Sequence, residues 1–165
     1  MIYRAAAVVL AFAALSGTAQ GAPRPPTLWA TVNICDTLRH PDQMGVRASM
    51  PGNGKRQRMW MRFHAQFFDS STNTWSDVKT GGVSPWILAG SALFRTRQAG
   101  YTFTFKAPAA GSSFTLRGAV DFQWRGKRHG HTIVVRRAQA NTKGGVKSTD
   151  GADPPGYSSG LCTIH

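Results

Sequence analysis

From residue 28 onward the apolar side chains recur at every second position, the period that turns one face of a β-strand to a core and the other to solvent. Leu28, Ala30, Val32 and Ile34 alternate with Trp29, Thr31, Asn33 and Cys35 and predict a first strand. Met44, Val46, Ala48 and Met50 predict a second, and Pro51-Gly52-Asn53-Gly54 supplies residues that pre-set φ or accept a positive one. The third strand sets Met59, Met61, Phe63, Ala65 and Phe67 against Trp60, Arg62, His64 and Gln66. Residues 75–80 predict a short fourth, and Gly81-Gly82 with Pro85 marks a loop. Tyr101, Phe103 and Phe105 alternate with threonines in the next strand. Phe114, Leu116, Gly118, Val120, Phe122 and Trp124 then form the longest clean alternation and predict a central strand. Residues 126–130 read as a basic hairpin turn, and residues 132–140 as its β-branched partner strand. Two stretches are less regular. Residues 86–97 read either as an edge strand or as an irregular crossover, and residues 143–159, rich in Gly, Ser, Asp and Pro, as a loop.

Seven strands, or eight if residues 86–97 form one, separated by short turns predict an antiparallel β-sandwich. Val46, Phe63, Phe103, Leu116, Val120 and Val134 are expected in its core.

The first residues follow a different pattern. One positive charge at Arg4, an apolar run over residues 5–15 and a small polar stretch over residues 16–21 are the ordered regions of a secretory signal peptide. A run of eleven apolar residues is well short of the roughly 20 that a membrane-spanning helix requires. Ala19 and Gly21 favour cleavage before Ala22, with cleavage after Ala19 as the second choice. Residues 22–27 are a short linker, and residues 28–165 are expected to form a single domain. Thr18 stands where a lipoprotein signal would carry its lipid-bearing Cys, so the chain is expected to be released, secreted by bacterial export, and not tethered. In an exported chain the two cysteines, Cys35 and Cys162, are expected to pair. The bond pins the loop at 143–159 back onto the first strand.

The strands at 59–68 and 75–79, followed by 101–105, Pro108, Phe114 and 116–124, resemble the central and later strands of fibronectin type III and immunoglobulin-like modules. The resemblance covers residues 28–142 and implies an immunoglobulin-like sandwich. The ends, Trp29-Ala30-Thr31-Val32-Asn33-Ile34-Cys35-Asp36 and Ala152-Asp153-Pro154-Pro155-Gly156-Tyr157-Ser158, together with Val46-Arg47-Ala48-Ser49-Met50-Pro51, are similar to a group of uncharacterised secreted bacterial single-domain proteins. That likeness implies export and architecture, and assigns no site residue.

Charge narrows the function. Lys and Arg number 20 against 7 acids, all of them Asp, for a formal charge of +13 that becomes +12 once Arg4 leaves with the signal. Such an excess favours anionic partners. In an immunoglobulin-like topology the loop after the second strand and the last hairpin emerge at one end. They bring Lys55, Arg56 and Arg58 toward Arg125, Lys127, Arg128, His129 and His131, with Arg95 and Arg97 joining if residues 86–97 add no parity-changing strand. This cluster is the expected site for an anionic envelope polymer, an acidic polysaccharide or extracellular nucleic acid, bound without sequence specificity. An alternative is a carbohydrate-binding module that stacks sugar rings on Trp60, Trp75, Trp86 or Trp124, with Trp75 and Trp86 the better candidates. A structural or adhesive protein acting through its sheet faces is a third reading.

Catalysis finds little support. His129 and His131 form a His-x-His pair, but Arg125, Lys127, Arg128, Arg136 and Arg137 surround them and repel a metal cation. Asp121 is the lone acid in a core strand, so paired-carboxylate chemistry has no second partner in sequence. No Gly-x-Ser-x-Gly elbow occurs. The expectation is a binding protein with no catalytic residue, no metal and no cofactor.

Overall fold

The computed structural model describes residues 27–147 and 149–165. The signal segment at 1–21 and the linker up to residue 26 lie outside the described residues. Nine strands follow one another: β1 (Trp29–Thr37), β2 (His40–Pro51), β3 (Arg58–Asp69), β4 (Thr74–Asp77), β5 (Ile87–Ser91), β6 (Thr96–Thr104), β7 (Phe114–Arg128), β8 (His131–Asn141) and β9 (Cys162–Ile164). Among the described residues there is no helix, hence none long and apolar enough to cross a membrane.

The strands form two antiparallel sheets. One has the order β1-β2-β6; the other has the order β4-β3-β7-β8, with β5 also paired to β3 and β9 to β7. Their inner faces share one core. Val32, Met44, Val46, Met50 and Phe103 of the three-stranded sheet meet Met59, Met61, Phe63, Leu116, Val120, Phe122 and Trp124 of the six-stranded one. Gly118 of β7 leaves room for Val46 of the facing sheet: a Cβ there would lie 2.7 Å from a Val46 methyl and 2.8 Å from the Thr142 methyl.

Among the described residues the count is nine, where seven or eight strands were expected. Residues 87–91 supply β5, which pairs with the start of β3, and the chain then crosses to β6 in the other sheet. The tail supplies β9, which continues the line of β8 along β7. The described residues between β8 and β9 form a strap on β1. Lys143 N donates to Ala30 O, Val32 and Ser159 exchange backbone bonds, and Asp153 N donates to Asn33 O, all at 2.9–3.0 Å. The strap also covers the outward face of β1. Thr31 and Asn33 are therefore buried, with Thr31 bonded to Ser158 and Asn33 to the carbonyls of Asp150 and Gly151. The Cys35–Cys162 disulfide fastens its end.

One expected core residue is displaced. Val134 is only half-buried, whereas Val46, Phe63, Phe103, Leu116 and Val120 are buried as expected. The cause is a bulge. Trp124 pairs with Arg136 and Arg125 with Val134, so Val135 is an extra residue in β8. The alternation that turns Ala138 and Ala140 inward is reversed beyond it. Arg136 takes the inward position, its guanidinium 4.6 Å from the Trp124 ring, and Val134 turns outward beside Arg125.

Candidate functional site

The turn between β2 and β3 and the hairpin between β7 and β8 meet at one end because β3 and β7 are neighbours in register. Arg58 is the partner of Arg125, and Trp60 of Gln123. The hairpin closes with two residues, His129 and Gly130, both at positive φ (48° and 80°), between the paired Arg128 and His131. This is the turn geometry whose twist suits adjacent antiparallel strands. The β5–β6 connection joins the same end. Gly52 N donates to Arg95 O, Asn53 N and Gly54 N to Ala92 O, and Ala92 N to Gln57 O, all within 3.0 Å.

Arg56, Arg58, Trp60, Arg125, Lys127 and Thr132 line a cleft of about 420 Å³. Lys55, Arg56, Arg58, Lys127, Arg128, His129 and His131 are exposed, and Arg125 is half-buried. Its guanidinium lies 4.6 Å from the Trp60 ring and 4.7 Å from the Trp86 ring, so two indoles hold it on the outer face of the sheet. Partial burial lowers the pKa of Arg125 from the ordinary arginine value, and Arg117 shifts the same way for the same reason. Both guanidinium groups remain cations. Arg97 reaches this end as well, stacked 3.6 Å over Phe94.

The acids lie elsewhere. Asp36 and Asp42 flank the β1–β2 hairpin, Asp69 and Asp77 the β3–β4 turn, Asp150 and Asp153 the strap, and Asp121 stands midway along β7. Among the described residues Arg47 pairs with Asp150 (3.3 Å), His64 contacts Asp121 (3.0 Å) and His40 contacts Asp153 (4.0 Å), and none of these contacts involves a cation lining the cleft.

The four tryptophans raised as sugar platforms divide. Trp124 is fully buried, with its indole N–H donating to Pro51 O at 3.1 Å, and is a core residue, not a platform. Trp75 packs on Phe68 and carries Arg117 at 4.4 Å, while Trp60 and Trp86 hold Arg125. Each of these three outer indoles therefore carries an arginine.

Residues 129–131 place both histidines at the hairpin tip, and among the described residues no cluster of three or more metal-ligating side chains forms. Sequence reasoning missed one polar pair. His64 and Asp121 lie on diagonal positions of β3 and β7, bonded at 3.0 Å, with Gln139 donating to the other carboxylate oxygen at 2.6 Å. The pair lines a small polar cleft of about 170 Å³ with Gln66, Asp77 and Asn141. Its signal lies in the register between strands, which no short motif carries.

No family model, no curated protein and no solved structure matches the chain.

Proposed function

We propose that the chain is an exported immunoglobulin-like sandwich acting as a non-catalytic binding module, and that its basic end holds an anionic polymer of the cell envelope or extracellular space. The sheet orders β1-β2-β6 and β4-β3-β7-β8 support the immunoglobulin-like reading, since they correspond to strands A-B-E against C′-C-F-G of that topology. A disulfide bond closing 127 residues of separation is compatible with an oxidising destination.

The observation that carries the functional reading is the placement of Arg58 directly opposite Arg125. Like charges opposite each other across a strand pair are destabilising, and among the described residues no carboxylate pairs with either arginine. Arg56 and Lys127 extend the same field along the cleft. An anion entering it relieves the repulsion and accepts forked hydrogen bonds from planar guanidinium groups. Acidic polysaccharide, envelope polymer and extracellular nucleic acid all present that chemistry, and none requires a cofactor.

The test is retention of the purified exported protein on immobilised polyphosphate and heparin across a salt series. Binding through the cluster predicts affinity that falls log-linearly with salt, as contacts to a chain of anions require. Affinity that does not change with salt would contradict the reading.

A further inference from the structure

The cations share their end of the molecule with exposed apolar side chains, a combination that a soluble polyanion does not explain. Leu88, Leu93 and Phe94 of β5 and the β5–β6 connection are 45%, 57% and 54% exposed. Ile133 and Val135, beside the hairpin, are exposed as well. A second cleft, of about 670 Å³, runs between Arg56 and Arg58 on one side and Leu88 and Leu93 on the other. The two clefts therefore share Arg56 and Arg58, one wall polar and aromatic, the other aliphatic.

The apolar tip is held out, not merely uncovered. Ala92 is buried beneath it and accepts from Asn53 N and Gly54 N, while Gly52 N donates to Arg95 O. Gly52 permits this contact, because a Cβ there would stand 1.8 Å from Phe94 O. The backbone under Leu93 and Phe94 is thus clamped to the β2–β3 turn, with their side chains left exposed. Arg97 lies over the Phe94 ring, its charge next to the apolar tip.

We propose that this end docks on an anionic lipid bilayer, with Leu93 and Phe94 entering the interface and Arg56, Arg58, Arg125 and Lys127 meeting the headgroup phosphates. The inference rests on the reading of this end as an anion site and names the surface it meets. Apolar side chains gain by leaving water at the acyl boundary, and basic residues near an acidic leaflet gain further by electrostatic attraction. Charge complementarity selects the occupant: a neutral apolar partner would leave the cations unmatched, and a water-soluble polyanion would leave the tip in water.

The experiment compares co-sedimentation of the purified exported protein with phosphatidylcholine vesicles and with phosphatidylcholine–phosphatidylglycerol vesicles, alongside retention on heparin. The native protein is expected on the acidic vesicles only. Leu93→Ser with Phe94→Ser should weaken vesicle binding at least about tenfold, as removal of two inserted apolar side chains requires, while heparin retention stays unchanged. In an otherwise native background, Phe94→Trp should add a blue-shifted emission component on acidic vesicles. Unchanged vesicle binding by the double serine variant with no emission shift would overturn the lipid inference and leave the anion site standing. Failure of the native protein to bind either acidic vesicles or heparin would overturn both.

Discussion

Arg58 and Arg125 are partners across β3 and β7, two side chains on the same face of adjacent strands, and among the described residues no carboxylate pairs with either. Arg125 tolerates this position because Trp60 and Trp86 stack on it. Replacing Arg125 with Lys keeps the charge but loses the planar stacking surface. The expected loss is about 1 kcal/mol of stability by denaturant unfolding, the scale of a partly exposed cation–π contact, with a change in tryptophan emission. An unchanged midpoint and spectrum would show that the indoles do not hold the guanidinium.

The disulfide joins β1 to the final strand. Its loop-closure entropy corresponds to about 5 kcal/mol for a separation of this length, so Cys35→Ala with Cys162→Ala should lower the unfolding free energy by a large fraction of that amount. The loss should appear as a lower denaturant midpoint without a loss of strand signal in the far ultraviolet.

Gly118 of β7 faces Val46 of the other sheet with no room for a Cβ. Gly118→Ala should destabilise by about 1–3 kcal/mol, the range for overpacking a filled core. Val46→Ala should partly rescue it, since the Val46 methyls are among the atoms in the way. The test is a double-mutant cycle, and purely additive losses would place the strain elsewhere.

The sequence was most readable where one periodic face meets one core. Met44, Val46, Ala48 and Met50, like Met59, Met61, Phe63 and Ala65, alternate without interruption and are buried as their spacing implies. Val134 misled because a bulge changes the phase of a strand without leaving a Gly or Pro to mark it. Thr31 and Asn33 looked solvent-facing because nothing local announces that a distant strap covers them. β9 was hidden because a three-residue strand carries too few alternations to register. The juxtaposition of the two basic loops could be reasoned from topology. The stacking of Arg125 between Trp60 and Trp86, and the clamped apolar tip at Leu93 and Phe94, depend on register and on a crossover at 86–97 that sequence left open.

Whether the basic end or net charge alone holds the anion is decided by two double charge reversals measured on the same heparin column. Arg56→Glu with Lys127→Glu places both changes in the cleft. Lys79→Glu with Lys143→Glu makes the same change of net charge beyond β4 and beyond the far end of β8. The cleft pair should lose retention and reduce the salt slope by about two, one per cation removed from contact, while the distal pair stays near the native value. Equal losses in the two variants, with both still folded, would mean that net charge alone retains the protein and that the basic end is no site.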